Sequence, residues 1–181
     1  MKTRRNKIAI ILIALCITIS VVLLIYTGVV SFLIDGFDYI DNNEEKYIIS
    51  STILTEEIKI NLIVNESIQI DDISLSIEAI EMSDTDLSFV ILINNDIHYS
   101  YGKLLSQKYP FDHNTQTNAE YSGEIYLECN GQSYKCKRTA IDYGKKNIKY
   151  TYSLELDGIH INDNNAEIRI ENFCLTQYKK R

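Results

Sequence analysis

The sequence lacks the signatures on which most catalytic sites are built. It has no Gly-rich phosphate loop, no Gly-x-Ser-x-Gly elbow and no His-Glu-x-x-His pair. The usual routes to phosphoryl transfer, serine hydrolysis and zinc proteolysis are therefore missing. Its three histidines, His98, His113 and His160, have no short ligand spacing, which argues against a zinc site. Asp157 and the 162–165 segment supply hard oxygens, but without the ordered spacing and Gly of a calcium loop. No metal, no cofactor and no enzymatic activity is expected. Basic residues are also scarce beyond residue 34, where 14 Lys and Arg face 25 Asp and Glu. That region carries a formal charge of −11, against −7 for the whole chain. Nucleic acid requires a basic patch, so it is not an expected partner. Clamping onto anionic lipid is disfavoured for the same reason.

One absence is positional. From Ile8 to Ile34 there is no Asp, Glu, Lys, Arg, His, Asn or Gln. These 27 residues would make a helix of roughly 40 Å at 1.5 Å per residue, and a bilayer core needs about 20. The excess is accommodated by tilt. Lys2, Arg4, Arg5 and Lys7 stand before the run; Asp35, Asp38, Asp41, Glu44 and Glu45 follow it. The basic side stays in the cytoplasm, so the remainder is expected outside the cell. The expected division is a basic cytoplasmic tip (1–7), a transmembrane helix (8–34), a polar spacer (35–46) and an extracytoplasmic domain (47–181). A cleaved signal peptide would have a shorter apolar region and a small-residue cleavage site, and no Ala-x-Ala lies near the end of this one. Leu15 precedes Cys16, where a lipobox needs a small side chain, so Cys16 reads as a thiol within a membrane helix. No second run of about 20 apolar residues follows.

Beyond the spacer the period is two. Ile58, Ile60 and Leu62 alternate with polar residues, as do Ile73, Leu75 and Ile77. Ile125, Leu127 and Cys129 follow the same pattern, and so do Ile148, Tyr150, Tyr152 and Leu154, then Ala166, Ile168 and Ile170. Leu87 to Ile93 is apolar on both parities and reads as a strand buried on both faces. Asn130-Gly131 is the strongest two-residue hairpin signal, because both positions need positive φ. With those two as the loop, Cys129 pairs with Gln132 and Leu127 with Tyr134, and apolar parity matches across the turn. Asp157-Gly158 and Asn94-Asn95-Asp96 are further turn candidates. Such strands, with a single proline, Pro110, and no long helical pattern, predict an all-β antiparallel sandwich. The polar stretch 109–121 is expected to be a long loop.

The segment Asn65-Glu66-Ser67-Ile68-Gln69-Ile70-Asp71-Asp72-Ile73-Ser74-Leu75-Ser76-Ile77 places a short strand before a longer alternating one, and Leu87 to Asn94 follows as a third. This cadence resembles the immunoglobulin-like domains of surface lipoproteins and membrane anti-sigma factors of Gram-positive bacteria. The resemblance covers roughly a third of the chain and implies an immunoglobulin-like sandwich at the cell surface. Anti-sigma factors carry a sigma-binding domain ahead of the span. Here residues 1–7 precede it, so that role is not carried over. The Ile-, Asn- and Lys-rich composition also looks bacterial.

The expectation is thus a binding or interaction module of unknown ligand, partnered by the lipid bilayer through its helix and by an envelope or membrane protein through its domain. Tyr99, Tyr101, Tyr109 and His113 are the candidate binding residues, since exposed tyrosine is favoured at interfaces. The same tyrosines also fit as core side chains with wet hydroxyls. A pilin-like subunit is one alternative, although its helix should run well past the membrane. A sortase-like transpeptidase is another, built on Cys174 with Arg181 and His98 or His113. Cys174 lacks the Thr-Leu-x-Thr-Cys setting of that family. Cys129, Cys136 and Cys174 are expected to be small core residues, with a disulfide among the three left open.

Overall fold

The computed structural model describes residues 2–36, 39–40, 42–107, 123–161 and 166–181. The apolar run does not form one continuous helix. Helix α1 (Lys2–Tyr26) ends at Thr27-Gly28, and α2 (Val29–Asp35) continues at 64° to it. Among the described residues no single helix is long and apolar enough to cross a membrane, but the two together are. The break has a local cause. Gly28 sits at φ 78°, a left-handed conformation that costs other residues energy. The Gly28 carbonyl then accepts the Phe32 N–H at 3.0 Å, which restarts the helix.

After α2 come a helical pair at residues 39–40 and a short 3-10 helix (Glu44–Lys46), and the strands that follow form three antiparallel sheets among the described residues. The first sheet runs β1 (Tyr47–Ile53), β13 (Cys174–Lys180), β7 (Tyr101–Ser106) and β6 (Asp96–Ile97). The second runs β10 (Lys137–Tyr143), β11 (Asn147–Glu155), β5 (Asp86–Asn94), β4 (Ile73–Met82) and β3 (Ser67–Ile70). The third runs β2 (Ile58–Asn61), β12 (Glu167–Glu171), β8 (Glu124–Cys129) and β9 (Gln132–Lys135). Residues of all three sheets bury side chains in one apolar core: Tyr47 and Leu105 from the first, Phe89 and Tyr152 from the second, Leu127 and Ile168 from the third.

The hairpin register is the expected one: Cys129 pairs with Gln132 and Leu127 with Tyr134. Asn130 and Gly131 take φ of 52° and 75°, as a two-residue loop of this hand demands. Strand β5 is buried on one face, at Leu87, Phe89, Ile91 and Ile93, while Ser88, Val90 and Leu92 are half-buried. Asn94-Asn95-Asp96 is not a hairpin. It carries the chain from the second sheet to the first. Buried Asn95 holds that corner: its Oδ1 accepts the Leu105 N–H at 2.8 Å and its own N–H donates to the Lys146 carbonyl at 2.8 Å.

Strands β1, β7, β10 and β13 were not evident from periodicity. Their apolar positions are interrupted by Ser, Thr or Lys, and pairing rather than pattern makes them strands. The stretch 35–46 is more than a polar spacer. Ile40 is fully buried in the core, and Asn43 ties the segment together by accepting the Lys46 N–H at 2.9 Å and donating from Nδ2 to the Tyr39 carbonyl at 2.8 Å. The loop expected at 109–121 and the 162–165 segment lie outside the described residues.

Candidate functional site

The most elaborate cluster lies where the helices meet the β body. Phe32, the buried side chain of α2, packs edge-on against Tyr99 (5.6 Å between centroids) and Tyr39 (6.2 Å). The Tyr99 hydroxyl donates to the carbonyl of Thr27, at the helix break. Lys180 sits 3.9 Å over the Tyr99 ring and donates to its hydroxyl oxygen. Gly28 faces the Tyr39 hydroxyl so closely that a Cβ there would overlap it. At the other end of α2, the Gly36 N–H donates to the Phe32 carbonyl at 2.8 Å and Gly36 packs on the backbone of Lys145, in the β10–β11 turn. The elbow is therefore latched to the body at both ends. Beneath it, Tyr47 and Tyr178 meet edge-on at 5.6 Å, and burial raises both phenols.

Of the four binding residues expected from sequence, Tyr99 belongs to this latch. Tyr101 remains exposed and stacks on His98, 4.7 Å between ring centres at 27°. His98 Nε2 lies 2.8 Å from Asp96 Oδ1, and the His98 backbone is gripped by the Tyr178 hydroxyl, which accepts its N–H and donates to its C=O. A flat aromatic and a hydrogen-bonding imidazole are thus presented together on a held turn. Tyr109 and His113 lie outside the described residues.

A second place escaped sequence reasoning. Gln107, Gly123, Glu124, Lys135, Lys137 and Arg138 line a cleft of about 290 Å³ that also reaches Cys136 and Tyr152. Gln107 organises it. Its Nε2 donates to the Gly123 carbonyl at 2.7 Å, its Oε1 accepts from Arg138 Nη1 at 2.6 Å, and its N–H donates to the Tyr150 hydroxyl at 3.1 Å. The Tyr152 hydroxyl is buried without a hydrogen-bond partner among the described residues. Burial raises that phenol and pushes the Cys136 thiol up to about 12. Tyr152 was legible only as a β-strand aromatic, because the cleft joins residues from four separate segments.

On the third sheet, Arg169 is largely buried among carboxylates. Its Nε donates to Glu128 Oε1 at 2.6 Å, it pairs with Glu171, and it lies 4.4 Å over the Tyr126 ring. Lys59 reaches Glu128 from β2, across β12, at 2.8 Å. This arrangement neutralises a cation internally and leaves it no free donor fork for a ligand.

Cys174 does not have the surroundings of a nucleophile. It is fully buried, its Sγ lies 3.6 Å from Thr176 Oγ1, and burial raises its pKa. A reactive cysteine needs the opposite shift. Cys129, Cys136 and Cys174 are all buried and unbridged. Among the described residues no three His, Cys, Asp or Glu side chains are grouped to hold a metal ion. Compared with protein-family profiles, with curated proteins and with solved structures, the chain matches none.

Proposed function

We propose that this protein is a single-pass membrane protein holding an immunoglobulin-like β-sandwich outside a bacterial cell, as a binding or interaction module. The observation that carries the reading is the state of α1. From Leu12 to Tyr26 its large apolar side chains are all exposed, so no face is covered by the β body. A helix apolar all round is stable only inside a protein core or a bilayer. Its two mid-helix hydroxyls are satisfied within the helix, as lipid requires: Thr18 donates to the Ala14 carbonyl and Ser20 to the Cys16 carbonyl, both at 2.9 Å. Leu12–Tyr26 of α1 and α2 together, bent by 64°, have the length and apolar character of a span. In this reading α2 forms the outer end of the span, with Phe32 turned to the protein and Leu33 and Ile34 exposed. The tyrosines of the latch then sit at headgroup level, where such side chains are favoured.

The four cations before the run and the acids after it support a cytoplasmic amino end. The shared core of the three sheets supports the layered body. Tyr101 with His98 is the proposed contact surface, and the Gln107–Arg138–Tyr152 cleft is a second recess open to a small polar group. Helix α2 closes at Asp35 and the chain turns into strand at Tyr47, whereas a pilin-like stalk would run on. Epitope tags test the topology. A carboxyl-terminal tag is expected to bind antibody on intact cells and an amino-terminal tag only after permeabilisation. The reverse pattern would overturn the reading.

A further inference from the structure

Antiparallel pairing directs both polar groups of alternate residues towards one neighbour. In β1 the residues facing β13 are the even-numbered ones. The Leu54 N–H donates to the Phe173 carbonyl at 2.8 Å, and the Lys46 carbonyl accepts the Arg181 N–H at 3.0 Å, both on the register that runs through the strand. Tyr47, Ile49, Ser51 and Ile53 therefore send their N–H and C=O groups out of the sheet. Among the described residues no strand pairs with that side.

Natural sheets blunt such edges by charge, by bulges or by shortness. The other outer strands obey. β2, β3 and β9 have four residues each and β6 has two. β10 carries Lys137, Arg138 and Asp142, and its register breaks between Arg138 and Ala140. β1 has seven residues, Tyr47-Ile48-Ile49-Ser50-Ser51-Thr52-Ile53, with no charge, no proline and no break in register. Ile48 is 61 % exposed. An edge of this kind is a template for another strand.

We propose that this edge pairs with the same edge of a second copy of the chain, antiparallel and centred on Ser50. The strand is complementary to itself in that register. Tyr47 opposes Ile53 of the partner subunit, and Ile49 opposes Ser51 of the partner subunit. These four are the outward-facing residues, so each free N–H meets a carbonyl. A shift of one residue would put every donor and acceptor out of phase. The strand is uncharged, so two bodies of strongly negative charge meet along a line that brings no like charges opposite one another. The two four-stranded sheets merge into one of eight strands across an isologous twofold interface. This goes beyond the topology proposed above and holds whether or not α1 crosses a bilayer.

The test uses the full-length chain in detergent micelles, with Cys16→Ala to remove the exposed native thiol. In the proposed register the two Ser50 residues form a non-hydrogen-bonded pair with Cβ atoms about 4.5–5.5 Å apart, close enough to bridge under mild oxidation. Thr52 faces Ile48 of the partner subunit instead. Ser50→Cys is expected to give a disulfide-linked dimer and Thr52→Cys to give none. Ser50→Lys, at an exposed position, is expected to lose the dimer in sedimentation, and mixing it with Ser50→Glu chains is expected to restore it. Equal cross-linking at both positions, none at either, or a native chain that sediments as a monomer would overturn the proposal. So would Ser50→Cys cross-linking in cells to a different protein.

Discussion

Single residues make the elbow. Gly28 is needed twice, for its left-handed backbone and for the space the Tyr39 hydroxyl occupies. Gly28→Ala is expected to destabilise the latch by about 1–2 kcal/mol, the cost of one strained left-handed residue. Tyr99→Phe leaves the packing on Phe32 but removes the bond to the Thr27 carbonyl, at about 1 kcal/mol. Hydrogen exchange at the Phe32 and Gly36 amides, in the solubilised chain, reads both changes as faster opening of α2. Unchanged exchange in both variants would show that α2 is held by something other than this cluster. None of this was legible in the sequence. Tyr99 fitted both a binding surface and a core position with a wet hydroxyl, because nothing local says what a tyrosine meets. The Thr27-Gly28 pair, inside an uninterrupted apolar run, looked like two more residues of one helix. Glycine is tolerated in apolar helices; here Gly28 takes the left-handed turn, and Phe32 packs the bent segment onto Tyr39 and Tyr99.

At the scale of elements, the third sheet is stapled by charge. Lys59 of β2 and Arg169 of β12 converge on Glu128 of β8, while Lys135 of β9 meets Glu124 of β8. Removing one partner of a largely buried pair leaves the rest uncompensated, so Arg169→Ala is expected to cost about 2–3 kcal/mol in denaturant unfolding. The pH dependence has a definite sign. The hydrogen bond from Lys59 holds Glu128 below its ordinary range, and that from Lys135 holds Glu124 below it. A carboxylate whose pKa is lower in the folded state adds stability that is complete above the unfolded value. That stability fades as the pH falls through the folded one. Thermal unfolding between about pH 6 and pH 3 should therefore show falling stability, and Lys59→Met should flatten the slope. The strands that carry these groups were readable at β2, β8 and β12, where apolar residues recur every second position. The partners across them were not, because which strands lie side by side depends on contacts far apart in the chain. β1 and β13 show the same limit: their serines and threonines hide the alternation, yet they pair without a register break over seven residues.

For the whole molecule, one core gathers side chains from three sheets, from Phe32 of α2 and from Ile40 of the connecting segment. Cys129 and Cys136 are part of that core, and Cys174 is fully buried beside Thr176. A water-soluble thiol reagent is expected to leave Cys129, Cys136 and Cys174 unmodified in the folded chain and to modify all three once denaturant exposes them, as read by intact mass. Rapid labelling of Cys174 before unfolding would contradict its burial. By itself the sequence determined the class of the body, the Asn130-Gly131 hairpin and the presence of an apolar amino-terminal segment. These follow from local quantities: residue period, turn chemistry and the hydration of side chains. The tertiary structure decided where the apolar run bends, which tyrosines are consumed in packing, how Gln107, Arg138 and Tyr152 come to share a cleft, and which strand is left at an open edge. Each of those depends on which distant segments meet, and no local pattern encodes a meeting.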